Sequence, residues 1–141
     1  MLMRLPQKKY AIIRLPMVFG HNSPRILEIK QCLQEKVPIE VFPNLVMNTI
    51  SDKKLTQQIH YMINRGKNGI FHVGAEDLIH HEEFFTEILK SMNVEKPMFK
   101  NVYTSNFDRF LAVLPKDNKL AKHLATTNQE TLEYISGKIK E

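Results

Sequence analysis

One spacing in this sequence could support proton transfer. Tyr134 and Lys138 match Tyr-x-x-x-Lys, in which one helical turn places an ammonium group beside a phenol and favours its ionisation. Gly137 weakens the helix between the two residues, and no glycine-rich nucleotide loop precedes them. We therefore interpret the pair as a chance spacing on a helix, and the sequence predicts no catalytic residue.

The densest group of metal-ligand types is His80-His81-Glu82-Glu83. Adjacent residues on a helix point in different directions, and the helix dipole already accounts for acidic residues in a first turn. The chain has a single cysteine, Cys32, so a four-ligand zinc site would require several histidines to converge from different elements. We predict no metal site.

His72 lies in a short apolar strand. For this residue, a hydrogen-bonded structural role is favoured over the role of a catalytic base.

Composition bounds the class of protein. With 141 residues, of which 43% are hydrophobic, residues 1–141 are expected to form a single domain. One cysteine and the lack of a long apolar run favour a soluble, cytoplasmic protein with no membrane partner. The net charge of +5 favours anionic ligands such as nucleotides. Because the basic residues are spread along the chain, nucleic acid is an unlikely partner.

The elements that would position a site alternate between strand and helix. The apolar run Tyr10–Gly20 predicts a strand buried on both faces, and Ser23-Pro24 predicts the start of a helix that ends near Lys36. Residues 37–43 predict a short edge strand, which an irregular stretch to Thr49 follows. Ser51-Asp52 predicts the start of a second helix that ends near Gly66.

The second half of the chain continues the alternation. Gly69–Gly74 predicts a strand, 82–92 a helix and 99–103 another short strand. Residues 104–126 are loop-like apart from the apolar stretch 110–114. Thr127-Asn-Gln-Glu130 is a capping box that predicts a final helix. This order predicts an α/β fold with short parallel strands and about four helices.

Three segments and their order carry a family resemblance. Ala11-Ile-Ile-Arg-Leu-Pro-Met-Val-Phe-Gly20, the helix from Ser51, and Gly69-Ile-Phe-His-Val-Gly74 resemble the second half of dTDP-4-dehydrorhamnose reductases and related extended short-chain dehydrogenases/reductases. The segment 108–120 is similar to the family's Arg-Pro…Lys-Leu tail, with Phe110 in place of the proline. The resemblance implies the C-terminal portion of a Rossmann-like fold.

The resemblance also implies site residues. It places Leu15, Pro16 and Met17 beside the nicotinamide of NAD(P)H. It places four further residues at a sugar-nucleotide cleft: Phe19, Asn22, Arg25 and Arg109.

In the family, a glycine-rich dinucleotide loop and the catalytic Ser/Thr, Tyr and Lys precede the strand that residues 11–20 resemble. We therefore expect residues 1–141 to hold only the substrate-binding portion of an NAD(P)H-dependent reductase, without the N-terminal dinucleotide-binding half. Such a chain would not bind NAD(P)H or turn over alone. It would pair with the other half, or with a second copy, through the Ile12–Val18 strand. The alternative is a non-catalytic regulatory or interaction subunit with the same fold.

Overall fold

The computed structural model describes residues 10–20, 22–103, 107–115 and 122–140, without the side chains of residues 122 and 138–140. Nine short strands and four α-helices follow one another in these residues. The first half contains β1 (Ala11–Arg14), β2 (Met17–Phe19), α1 (Pro24–Glu35), β3 (Ile39–Val41), β4 (Leu45–Met47), β5 (Thr49–Ser51) and α2 (Asp52–Asn64). The second half contains β6 (Gly69–His72), β7 (Ile79–His80), α3 (His81–Ser91), β8 (Phe99–Asn101), β9 (Arg109–Leu111), a 3₁₀ turn (Lys122–Leu124) and α4 (Asn128–Lys140).

The strand pairs are mostly parallel. Within the described ranges, β1 pairs with β6, β2 with β5, β3 with β8 and β4 with β9, all in parallel, whereas β7 runs antiparallel to β4. Parallel strands need crossover connections, and the helices provide them. The predicted α/β fold with short parallel strands and about four helices is confirmed.

The first predicted strand is wrong in its extent. Residues 10–20 form two strands, β1 and β2, which pair with different partners on either side of Leu15 and Pro16. Proline has no N–H to donate to a ladder, so the pairing changes at this point. Ile12 and Ile13 are also half-buried, so the continuous Ile12–Val18 strand buried on both faces does not exist.

The stretch before Thr49 is likewise more ordered than expected, because it contains β4 and the start of β5. Three-residue strands are too short to show the alternation of apolar and polar residues by which strands are recognised in a sequence.

Two apolar clusters lie on opposite sides of β2. Phe19 belongs to the larger cluster, which α1, α3 and α4 cover. Val18, its neighbour in the same strand, packs on the smaller cluster of Ile50, Met62, Phe71 and Val73. Because side chains alternate across a strand, β2 forms part of both cores. Because both faces of β2 are packed against apolar clusters, the C-terminal end of this strand is held in a fixed place in the fold.

The helix starts follow the predicted capping residues in part. The Ser51 hydroxyl accepts a hydrogen bond from the Lys54 amide at 3.0 Å and caps α2 as predicted. The Ser23 side chain makes no such bond to α1 and instead accepts one from the Gly20 amide at 2.6 Å. At α4, Thr127 accepts from the Glu130 amide at 3.2 Å, but the Glu130 carboxylate accepts from the Thr126 hydroxyl, so the box is half formed.

Candidate functional site

The C-terminal ends of β2 and β5 lie side by side. Phe19 and Ser51 are partners in the parallel register, and the chain then enters α1 after β2 and α2 after β5. A Cβ atom on Gly20 would overlap the Asp52 carboxylate, so the two chain segments approach closely. Ligands of open α/β sheets bind beyond the carboxyl ends of their strands. This edge, with the start of α1 and α2, is the candidate site.

The segment Leu15–Met17 connects β1 to β2 beside this edge. Leu15 is 47% exposed, while Pro16 and Met17 are half-buried. The Pro16 ring lies against Gly74, where an added Cβ would come within 2.8 Å of the Pro16 Cγ atom. The predicted cofactor-binding residues therefore form an ordered, largely apolar segment at the end of β1, next to the segment that follows β6.

Phe19 is placed in the core. Its side chain is 2% exposed and its ring centroid lies 4.9 Å from that of Phe84 and 6.1 Å from that of Phe85. Only the backbone of Phe19 is near the strand end. Asn22, two residues beyond Gly20, is exposed at the start of the α1 turn.

Arg25 is held by contacts within the protein. Its guanidinium lies 3.0 Å from the Glu28 carboxylate, donates to the Glu40 carbonyl and sits 5.1 Å from the centre of the Phe85 ring. These contacts tie α1 to β3 and α3. A ligand that bound Arg25 would have to share it with the Glu28 carboxylate.

Arg109 lies on a different strand from the rest of the predicted site. It is exposed on β9, and its backbone amide donates to the Asn44 carbonyl at 2.7 Å. Arg25 contacts the same stretch of chain four residues earlier, at Glu40. The structure therefore places Arg25 and Arg109 along one segment, residues 40–44, and does not show direct contact between them.

His81 is a feature that the sequence prediction treated only as a metal-ligand candidate. Its side chain is buried, its Nδ1 atom accepts a hydrogen bond from the Phe42 amide at 3.2 Å, and its ring packs 4.6 Å from the Phe85 ring. Burial, together with the nearby Arg25 charge, lowers the pKa of His81 to about 4. The imidazole is therefore neutral near pH 7 and joins α3 to the end of β3.

Asn48 is a second residue that the sequence analysis missed. Its side-chain amide donates to the Ala75 carbonyl at 2.9 Å and to the Val113 carbonyl at 2.7 Å, and its Oδ1 accepts from the Val113 amide at 2.9 Å. Because Val113 follows β9, Asn48 fixes the segment that carries Arg109. A lone asparagine between two short apolar runs gives no signal of this role.

His72 and Tyr134 both make contacts within the fold. His72 is half-buried, and its Nε2 atom lies 3.3 Å from the Arg14 guanidinium. Tyr134 packs partly buried against the larger cluster, while the Lys138 side chain lies outside the described residues.

No three metal-ligating side chains of the described ranges come together. None of the helices traced in these ranges combines the length and apolar character that crossing a bilayer requires.

Three solved structures illustrate the proteins that share this arrangement of elements. A dTDP-4-dehydrorhamnose reductase from Bacillus anthracis in complex with NADP superimposes with a TM-score of 0.72 at 19% identity, over 91% of this chain and 47% of that chain. The dTDP-4-dehydrorhamnose reductase from Yersinia enterocolitica gives 0.70 at 17% identity, over 91% and 49%. A UDP-N-acetylglucosamine 4-epimerase from Methanobrevibacter ruminantium in complex with UDP-N-acetylmuramic acid gives 0.71 at 15%, over 93% and 45%.

The likeness establishes the fold. The chain has the α/β fold of the matched portion of these enzymes, with short parallel strands and crossover helices, and it spans about half of their length. Reductases and an epimerase match equally well, so the fold does not select one reaction. No protein-family model matches the sequence, and no curated protein is similar to it in sequence.

Proposed function

We propose that this chain is the substrate-binding portion of an NAD(P)H-dependent oxidoreductase of the dTDP-4-dehydrorhamnose reductase type, which acts on a deoxy-sugar nucleotide. The observation that carries the proposal is the fold match, which runs over at least nine-tenths of this chain but about half of each enzyme. The candidate site at the ends of β2 and β5 supports it, because this is where such sheets bind ligands.

The side chains at this edge suit a sugar nucleotide. The Asp52 carboxylate and the Asn22 amide can hydrogen-bond sugar hydroxyls, since the former accepts and the latter both donates and accepts. Arg109 lies outside this edge, on β9, and we propose that its planar guanidinium pairs with a phosphate of the same ligand. Arg25 contributes less to the ligand in this proposal, because Glu28 already offsets its charge at 3.0 Å.

The residues proposed for the cofactor fit one wall of a nicotinamide site. Exposed Leu15 and half-buried Pro16 offer an apolar surface beside Gly74 that can pack against a planar ring. When bound, NAD(P)H supplies the hydride. The sequence contains no glycine-rich dinucleotide loop, so binding of the cofactor phosphates would depend on a second, cofactor-binding portion.

The open edge of β1 is where we propose that this second portion joins. The Tyr10 carbonyl accepts a hydrogen bond from the Gly69 amide, and the Arg14 carbonyl accepts one from the Val73 amide. Successive residues of a strand direct their backbone N–H and C=O groups to opposite edges. The backbone groups of Ala11 and Ile13 therefore point to the edge of β1 that faces away from β6. No strand among the described residues pairs with that edge. A second copy of the chain is the competing occupant.

The catalytic part of the proposal has a direct test. The purified chain is incubated with NADPH and dTDP-4-dehydrorhamnose, and the loss of NADPH absorbance is followed beside an intact reductase as the positive control. We expect no turnover by the chain alone, because hydride transfer needs both a bound nicotinamide and a positioned acid. Sustained NADPH oxidation that depends on the sugar nucleotide would contradict the proposal.

A second candidate function is a non-catalytic regulatory or interaction subunit. Exposed apolar side chains favour it, because Phe107, Phe110 and Leu111 are 81%, 67% and 62% exposed on and beside β9. Such surface is typical of a protein contact. The genomic context separates the two: an adjacent reading frame that ends in Tyr-x-x-x-Lys favours a split reductase, whereas an intact reductase elsewhere and a stable foreign partner favour the subunit.

A further inference from the structure

A pocket opens at the C-terminal end of α1. Its volume is about 250 Å³, and its walls come from three separate segments: the last turns of α1, the start of β3, and the connection from α3 to β8. The apolar lining includes Cys32, Leu33, Val37, Val94 and Met98.

The mouth of the pocket is apolar as well. Val37 is 42% exposed and Met98 is 53% exposed. These two aliphatic side chains face solvent at the opening, where a bound ligand could cover them. A ligand with an apolar body would remove this surface from water, which is favourable.

Two exposed lysines, Lys36 and Lys96, are also among the lining residues. Lys36 is the left-handed residue that ends α1, with φ of 60°, and Lys96 follows α3. Among the described residues, neither ammonium has a carboxylate within salt-bridge distance. The adjacent acidic residues do not line the pocket, and one of them, Glu35, accepts a hydrogen bond from Gln31 at 3.1 Å. The pocket thus combines an apolar floor with positive charge.

We propose that this pocket binds a small amphipathic carboxylate, with its apolar body between Leu33 and Val94 and its carboxylate at Lys36 and Lys96. The space is below the roughly 300–1,000 Å³ of sites for drug-sized ligands. At roughly 30 Å³ for each water-sized group, it holds about eight non-hydrogen atoms. The eight carbon atoms of octanoate match this size, with its two carboxylate oxygens at the exposed lysines.

This pocket is separate from the candidate site. Gly20 and Asn22 lie before the N-terminus of α1, and the pocket lies at its other end. A helix of 12 residues is about 18 Å long, so the proposed ligand would not contact the ends of β2 and β5. The proposal does not depend on the proposed function, and either one can fail alone.

Cys32 provides the readout, because it lines the pocket and is the single cysteine of the chain. The alkylation rate of the full chain by iodoacetamide is measured with increasing octanoate, octanol or octyltrimethylammonium. We expect saturable protection by octanoate, protection by octanol only at higher concentration, and none by the cation. Equal protection by octanoate and octanol, or none by octanoate, would overturn the proposal.

Variants test the two lysines. The double variant Lys36→Met, Lys96→Met should weaken octanoate binding by about fivefold or more, because two charge pairs with the ligand are lost. The control is Lys53→Met, Lys67→Met, which removes the same charge from exposed positions in and after α2 and should leave octanoate binding unchanged. Unchanged binding in the first variant would refute the assignment of the carboxylate.

Amide NMR shifts locate the ligand independently of the cysteine. Octanoate should shift the resonances of Leu33, Val37 and Val94 and leave those of Gly20 and Asp52 in place. Shifts confined to the ends of β2 and β5 would place the ligand in the candidate site and would also overturn the proposal.

Discussion

At the scale of single residues, Asn48 connects three parts of the chain. Its side chain is fully buried and makes three hydrogen bonds, one to Ala75 and two to Val113. Buried polar groups that lose their partners keep the full cost of desolvation. Asn48 therefore matters beyond its own strand, since it holds the segment after Arg109.

We predict that Asn48→Ala lowers the free energy of unfolding by about 3 kcal/mol, because Val113 loses both bonds and Ala75 loses its donor. Urea denaturation at neutral pH measures the change. Asn68→Ala, at an exposed position, is the control and should cost less than about 0.5 kcal/mol. A loss for Asn48→Ala as small as the control would mean that the three bonds contribute little.

His81 predicts a dependence of stability on pH. Its pKa in the folded protein, about 4, lies below the ordinary value of 6.5, so the unfolded chain binds the proton more readily. The resulting stability is complete above pH 6.5 and falls as the pH drops from 6.5 towards 4, by on the order of 3 kcal/mol. Protonation of Nδ1 would also remove the acceptor of the Phe42 amide.

Unfolding by urea between pH 4 and 7.5 tests this prediction. His81→Gln lacks the titrating ring, and its curve should be flatter than that of the wild type over this range. His60→Gln, at an exposed position of α2, should keep the wild-type slope. Parallel curves for His81→Gln and the wild type would show that other groups cause the dependence.

At the scale of elements, Gly74 joins the segments around the proposed cofactor wall. Its φ is +142°, and an added Cβ would lie 2.7 Å from the Asn48 amide, 2.8 Å from the Pro16 ring and 3.0 Å from the Val113 carbonyl. The end of β6, the β1–β2 connection and the segment after β9 thus meet where only glycine fits.

We predict that Gly74→Ala costs about 3 kcal/mol or more in the free energy of unfolding, through backbone strain and overpacking together. Gly137→Ala is the matched comparison, because no neighbouring atom lies within 4 Å of its added Cβ in α4. It should stabilise the chain by about 0.5–1 kcal/mol. Thermal unfolding of both variants measures the difference, and a tolerated Gly74→Ala would contradict the close contact.

The elements also show what a sequence can predict. The helices were predicted within a few residues, because apolar spacing, Ser51 and Gly66 mark them clearly. The sequence did not predict β4 and β5. These strands are formed by hydrogen bonding to β9 and β2, which are distant in sequence, and not by a local pattern of residues. The exposure of Ile63 in α2, at 72%, was equally invisible in the sequence.

The site was less predictable than the elements. The resemblance predicted Phe19 and Arg25 as site residues from their positions along the chain. It did not predict that the ring of Phe19 lies in the core or that Arg25 forms an ion pair with Glu28. The roles of Asn48 and His81 depend on contacts over 65 and 39 residues of sequence separation. Only the folded structure brings such residues together.

At the scale of the whole molecule, the open edge of β1 predicts association. No strand of the described residues pairs with the backbone groups on this edge, beside half-buried Ile12 and Ile13, and such groups can add another strand. We expect the chain alone to self-associate at high concentration, and sedimentation velocity measures this. A single monomeric species across the concentration range would contradict the role of the edge.

Proline variants separate the two edges of β1. Ala11→Pro removes a donor from the open edge only, so it should reduce self-association while far-ultraviolet circular dichroism stays unchanged. Ile12→Pro removes a donor that faces β6 and should destabilise the fold. Equal association of Ala11→Pro and the wild type would place the contact elsewhere, with the exposed β9 residues as the next candidate.

The central claim is that this chain carries a sugar-nucleotide site at the ends of β2 and β5. Titration of the isotope-labelled chain with a dTDP-deoxysugar, followed by amide NMR, tests it most directly. We predict saturable shifts at Asn22 and Asp52 on this edge, a further shift at Arg109 on β9, weaker binding by Arg109→Met, and no shifts with the free sugar. Absence of saturable binding, or shifts confined to residues away from this edge, would contradict the account.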